Sequence, residues 1–167
     1  KKNKVIYLCS AFDLKSLVFL DKRLKIPIFK IPSGEIHSTD MINYIAKKNK
    51  EIFVSTGMAT LNEIGEVLKK LKGHGNKKIT ILHCISSYPA NKNFINLNVM
   101  DELKKVFKVD VGYSDHSLGN EACLAAVAKG AKVIEKHVTL SINQKGPDHK
   151  ASSNIKDISD LVLKIRK

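Results

Sequence analysis

Val109-Asp110-Val111 reads as a short strand that runs into Gly112-Tyr113-Ser114-Asp115-His116, a cluster of hydroxyl, carboxylate and imidazole side chains. The pattern recurs on both sides of it. Ile28–Lys30 runs into Pro32-Ser33-Gly34-Glu35, and Ile52–Val54 into Ser55-Thr56-Gly57. Ile79–Leu82 runs into His83-Cys84-Ile85-Ser86-Ser87-Tyr88, and Val133-Ile134 into Glu135-Lys136-His137. Helix-like stretches separate these runs. Strand, polar end and helix, repeated, mark an α/β sheet that carries its chemistry at the carboxyl ends of the strands.

Working outward, Val5–Leu8 reads as a first strand and Asp13–Leu24 as the helix after it. Helices are expected around Thr39–Lys47, with Ser38 or Thr39 as cap, and over Thr60–Lys72, where Thr60 and Glu63 have capping-box spacing and Gly73 is the stop. Met100–Phe107, Asn120–Lys129 and Ile155–Ile165 complete the helical set. About six βα units with short connections follow. Strands without polar alternation imply a parallel sheet covered by helices. An open doubly wound sheet binds ligand in one crevice, whereas here nearly every strand end carries chemistry, which favours a partial (β/α)8 TIM barrel. Neither a linker nor a low-complexity segment interrupts residues 1–167, so a single domain is expected.

The totals exclude several classes. No apolar run approaches the ~18 residues of a membrane span. The start, Lys1 to Leu8, faintly mimics a signal peptide, but Asp13 and Lys15 cut it short and a core strand fits better. Three cysteines, Cys9, Cys84 and Cys123, stand far apart with no CxxC pair, which points to a reducing cytoplasm rather than a disulfide or zinc framework. The net charge of +13 comes almost wholly from Lys, with Arg only at Arg23 and Arg166. Sparse aromatics and cations near helix ends argue against nucleic acid; the charge would instead concentrate an anionic substrate.

Each polar cluster has a bland reading beside a chemical one. Lys30 and Ser33 would present an ammonium and a hydroxyl to a carboxylate or phosphate, or Lys30 would simply end a strand in solvent. Ser55-Thr56-Gly57 opens a helix, either as an anion site or as a capping turn. His116 and His137 would end neighbouring parallel strands, with Asp115 and Glu135 near them in sequence; such a set can hold Mn, Fe, Co or Zn, although a lone His is more often structural. Gly146-Pro147-Asp148-His149-Lys150 could place Asp148 on a substrate hydroxyl or be a solvated loop.

Taken together, the clusters resemble the N-acetylneuraminate (sialic acid) synthase family. The strings that carry the resemblance are Phe29-Lys30-Ile31-Pro32-Ser33-Gly34-Glu35, Ser55-Thr56-Gly57-Met58-Ala59-Thr60, Leu82-His83-Cys84 with Tyr88-Pro89, Gly112–His116, Ala131–His137 and Gly146–Ser152, in order along nearly the whole chain. The resemblance implies a TIM-barrel synthase that starts here at its third strand. The first two strands and a C-terminal antifreeze-like domain, which lends an Arg to the partner subunit's site, would lie outside these residues. The implied reaction condenses phosphoenolpyruvate with an N-acylated hexosamine to a nine-carbon 2-keto sugar acid, releases phosphate and needs a divalent cation, typically Mn2+. The implied assembly is a cytoplasmic homodimer that takes small-molecule substrates, not nucleic acid or membrane.

By position, the resemblance makes His116 and His137 the metal ligands. Lys30, Ser33, Ser55, Ser114 and Ser10 become phosphoenolpyruvate contacts, and Tyr88 and Asp148 sugar contacts. His137, Glu135 and Asp148 carry the chemistry, with Glu135 supporting the metal ligand beside it. Two rivals remain at the level of sequence: a Schiff-base aldolase using Lys30 or Lys136, and a non-catalytic fragment or basic binding module.

Overall fold

The computed structural model describes residues 6–167. It divides into two compact units, residues 1–80 and 81–167. Helix α1 (Leu14–Lys22) starts at Asp13, whose carboxylate accepts from the Ser16 amide at 2.8 Å. Strands β1 (Ile28–Ile31) and β2 (Glu51–Ser55) pair in parallel, with Lys30 in register with Phe53. Helix α2 (Thr39–Ala46) joins them, and α3 (Leu61–Gly73) follows β2. Phe29, Ile31, Ile45, Ile52, Val54, Ile64 and Leu71 form the buried centre of this unit. Nonpolar residues on both strand faces require helical cover, which α2 and α3 supply. The Thr60–Glu63 capping box is present in both directions. Helix α3 runs one residue beyond Lys72, and Gly75, at φ +86, turns the chain out of it.

Strand β3 (Ile79–Cys84) begins in the first unit, where the Ile52 amide donates to the Lys78 carbonyl at 2.9 Å, and continues into the second. The second unit then holds α4 (Asn98–Phe107), β4 (Asp110–Asp115), α5 (Glu121–Ala128), β5 (Ile134–Lys136) and α6 (Ile155–Ile165). Strands β4 and β5 are parallel: Tyr113 faces Ile134, Ser114 faces Glu135 and Asp115 faces Lys136. Beyond β5 the chain stays extended, and Val138 forms a parallel bridge with Ser153.

Two expectations change. Ile6–Leu8 is irregular, with Ile6 and Tyr7 exposed, so five strands lie among the described residues; Val5 lies outside them. A strand needs a hydrogen-bonded neighbour, and hydrophobicity alone does not make one. The polar cluster Gly112–Asp115, expected to follow a strand ending at Val111, is itself strand. Gly112 belongs there because a Cβ at that position would lie 2.5 Å from the Val133 carbonyl oxygen and 2.6 Å from Leu82 Cδ2. Gly112→Ala is expected to lower stability by about 1–3 kcal/mol, measured by urea unfolding.

In the first unit Asp21 joins α1 to the chain after α2. Tyr44 Oη donates to it at 2.7 Å and Lys50 Nζ at 2.7 Å, with Lys48 Nζ at 3.0 Å. Burial works to raise the Asp21 pKa, but these donors outweigh it and lower it to about 2 from an ordinary 3.8. A carboxyl depressed by folding stabilises above its unfolded value and loses that contribution as pH falls through the folded one. The melting-temperature gap between the wild-type chain and Asp21→Asn is therefore expected to be full at neutral pH and to close between about pH 4 and 2.

Candidate active site

The strand register of the second unit sorts its polar residues onto two faces, because successive side chains on a strand alternate. One face carries Ser114 and Glu135, and the chain continues it with His116 and His137 just past the strand ends. Ser114 Oγ donates to Glu135 Oε1 at 2.6 Å. The imidazoles of His116 and His137 meet edge to face, with ring centroids 5.2 Å apart. Tyr88 lies over both, its ring centre 4.2 Å from that of His116 and 5.5 Å from that of His137. Asp148 Oδ2 is 3.9 Å from His137 Nδ1. That loop is brought back to β5 by the Ser153 amide donating to the His137 carbonyl and the Thr139 amide to the Ser153 carbonyl, both at 2.9 Å.

His116 is held in a defined tautomer. Its Nδ1 lies 2.6 Å from the Ile85 carbonyl oxygen, so Nδ1 carries the proton and donates. Its own carbonyl accepts from the Ala90 amide at 2.8 Å. The Nε2 lone pair is left as a donor to a cation; Ser114 Oγ, 3.4 Å away, directs its proton to Glu135. Burial holds the His116 pKa below its ordinary value, helped by His137 and opposed by the Ile85 carbonyl and Glu135. A neutral imidazole whose second nitrogen is anchored on a carbonyl is the usual form of a metal-ligating histidine. Among the described residues no group of three His, Cys, Asp or Glu forms a full coordination set. The residues present offer a divalent metal two imidazoles and not a full ligand set.

The opposite face carries Tyr113, Asp115 and Lys136. Lys136 Nζ donates to Asp115 Oδ2 at 2.5 Å and to the Ser117 carbonyl at 2.9 Å; the two side chains are 3% and 0% exposed. Two expectations fall here. Asp115 does not stand on the face of the imidazoles as a possible metal carboxylate, and the Lys136 ammonium is engaged by Asp115 and the Ser117 carbonyl rather than presented as an aldolase lysine. Burial works to raise the Asp115 pKa, yet Lys136 and the Ser117 amide and hydroxyl outweigh it and hold the carboxyl below its ordinary range. Sequence spacing gave no signal for this network, because faces follow only once register is known.

In the first unit Lys30 is 6% exposed, so it does not end its strand in solvent. Ser55, the last residue of β2, is 3% exposed and its hydroxyl has no hydrogen-bond partner. Buried hydroxyls are nearly always satisfied, so this one is suited to a ligand. Ser33 opens a 3-10 turn through Glu35. Ser10 lines a separate cavity of about 670 Å3 with Cys9, Asp13 and Ser16. His83, which reads from sequence as part of a polar strand end, is structural: it is buried and pairs with the Ile95 carbonyl at 2.7 Å.

A fold of parallel strands and covering helices, with two imidazoles at adjacent strand ends, defines an α/β protein with its polar side chains gathered where the strands end. The family model described as the NeuB family matches residues 1–167, and the chain belongs to that family. The chain is 51% identical to an N,N'-diacetyllegionaminic acid synthase of Campylobacter jejuni over 168 residues, 99% of this chain and 50% of that protein. It is 34% identical to an N-acetylneuraminate-9-phosphate synthase of Homo sapiens over 163 residues, 97% of this chain and 45% of that protein. The solved structure of an N-acetylneuraminic acid (sialic acid) synthetase from Leptospira borgpetersenii, in complex with citrate, matches with a TM-score of 0.93 at 33% identity, covering 99% of this chain and 57% of that one. The chain spans about half the length of the curated relatives it matches.

Treatment with pyruvate and borohydride is expected to leave the intact mass of the chain unchanged. A trapped adduct on Lys136 or Lys30 would contradict this assignment.

Proposed function

We propose that this chain works as part of a phosphoenolpyruvate-dependent synthase that condenses an N-acylated hexosamine to a nonulosonic, sialic-type acid and releases phosphate. The observation that carries this is the convergence of His116 and His137 beneath Tyr88 and beside Asp148, in a chain of the NeuB family. The relatives' printed activities support the product class.

In the bond changes, C3 of phosphoenolpyruvate attacks the aldehyde carbon of the open sugar. Water adds at C2, and the C2–O bond to phosphate breaks to leave a 2-keto acid. A divalent metal, Mn2+ in this proposal, would sit on His116 Nε2 and His137 and supply Lewis-acid polarisation of the aldehyde oxygen. Tyr88, half-exposed over the two rings, offers a stacking face and a phenol to the sugar. Burial raises the Tyr88 pKa, with Cys84, Asp148 and Glu135 adding to it, so the phenol stays protonated and can donate. Asp148 accepts a sugar hydroxyl. Glu135 accepts from Ser114 on the face that carries the two imidazoles.

Phosphoenolpyruvate brings several negative charges that must be offset in a site shielded from water. Within the first unit Lys30, Ser33, Ser55 and Ser10 are proposed as contacts for anionic oxygens, the Ser55 hydroxyl being the group whose lack of a partner fits this role; within the second unit Ser114 is proposed for the same kind of contact. The assembly would be a cytoplasmic homodimer.

The complete open reading frame that encodes this chain is expected to release phosphate from phosphoenolpyruvate only with both an N-acylated hexosamine and Mn2+ present. His137→Ala is expected to lower kcat at least about 100-fold. Phosphate release unaffected by a chelator, or absent with every N-acylated hexosamine supplied, would contradict the proposal.

A further inference from the structure

Asp115 and Lys136 form the most enclosed ion pair among the described residues, and the proposed chemistry does not use it. Five donors converge on the Asp115 carboxylate. Besides Lys136 Nζ they are Tyr113 Oη at 3.1 Å, the Ser117 amide at 2.9 Å, Ser117 Oγ at 2.7 Å and Cys123 Sγ at 3.2 Å. Burial and the adjoining carboxylate push the Cys123 thiol up to about 12, so it remains a donor. A buried ion pair adds little net stability over an apolar replacement, so its presence calls for another role.

Its position in the chain supplies one. Asp115 immediately precedes His116, and Lys136 immediately precedes His137. The two are cross-strand partners in the β4–β5 register, one step beyond the Ser114–Glu135 pair. The Asp115 carboxylate also grips the amide and hydroxyl of Ser117, and Lys136 grips the Ser117 carbonyl, so the backbone is clamped on both sides of His116.

We propose that Asp115 and Lys136 are positioning residues: their ion pair staples the ends of β4 and β5 and sets the separation of the two imidazoles for one divalent cation. This rests on the metal role given to His116 and His137 above. Partners that orient metal ligands typically influence affinity by about 10–100-fold.

The experiment uses the full chain with Mn2+ alone as probe. Affinity is read by isothermal titration. The metal-free geometry is read separately, from the ring-to-ring nuclear Overhauser contact between His116 and His137. Lys136→Gln leaves a buried carboxylate unpaired and can unfold the chain, so the deciding variant is Asp115→Asn with Lys136→Met, which leaves no uncompensated charge. It is expected to keep the wild-type far-ultraviolet spectrum, lose the inter-ring contact and bind Mn2+ at least about tenfold more weakly. Should that pair of changes also fail to fold, Ser117→Ala decides: it removes one donor, keeps the ion pair, and is expected to weaken Mn2+ binding about threefold. Wild-type affinity and an intact inter-ring contact in whichever variant folds would overturn the proposal. A wild-type chain that shows the ring contact but binds no Mn2+ would sink the metal reading instead, and loss of the contact in the variant would then still support the staple.

Discussion

The parallel register of β5 on β4 is the constraint on which the site depends. Ser114 opposite Glu135 and Asp115 opposite Lys136 are two consequences of one alignment. A slip of one residue would turn every side chain of β5 to the other face. His137 would then leave His116, and Lys136 would leave Asp115 for the face that carries Ser114. Gly112 permits the alignment, since any larger residue would press on the Val133 carbonyl. Structure and chemistry therefore meet in a few consecutive residues of each strand.

The two faces of these strands divide the work. On one, Glu135 and His137 are partly accessible while Ser114 and His116 are buried, and the two imidazoles underlie Tyr88. On the other, Tyr113, Asp115 and Lys136 are tied into one hydrogen-bonded group. The low-dielectric interior makes such a network rigid when every member is satisfied. Rigidity behind the site suits the metal-assisted chemistry proposed above, because ligand placement must hold to within a fraction of an ångström.

Much of this could be read from the chain alone. Repeated apolar runs ending in polar clusters gave the parallel α/β arrangement, and the Thr60–Glu63 spacing gave the start of α3 to the residue. His116 and His137 could be paired because both follow consecutive strands. What could not be read depended on register. Glu135-Lys136-His137 is too short to reveal which residues share a face, so Asp115 and Lys136 looked as eligible for chemistry as their neighbours. Gly112 read as the first residue of the polar cluster after the strand, whereas a close backbone approach places it within the strand. Ile6–Leu8 had the composition of a strand, but composition does not supply a pairing partner.

The convergence of two imidazoles is tested most directly by pulsed electron paramagnetic resonance of Mn2+ added to the chain, which counts nitrogen nuclei coupled to the metal. Couplings from two histidine nitrogens are expected, falling to one when either His116 or His137 is replaced. Mn2+ that shows no histidine coupling, or couplings unaffected by both replacements, would contradict the account.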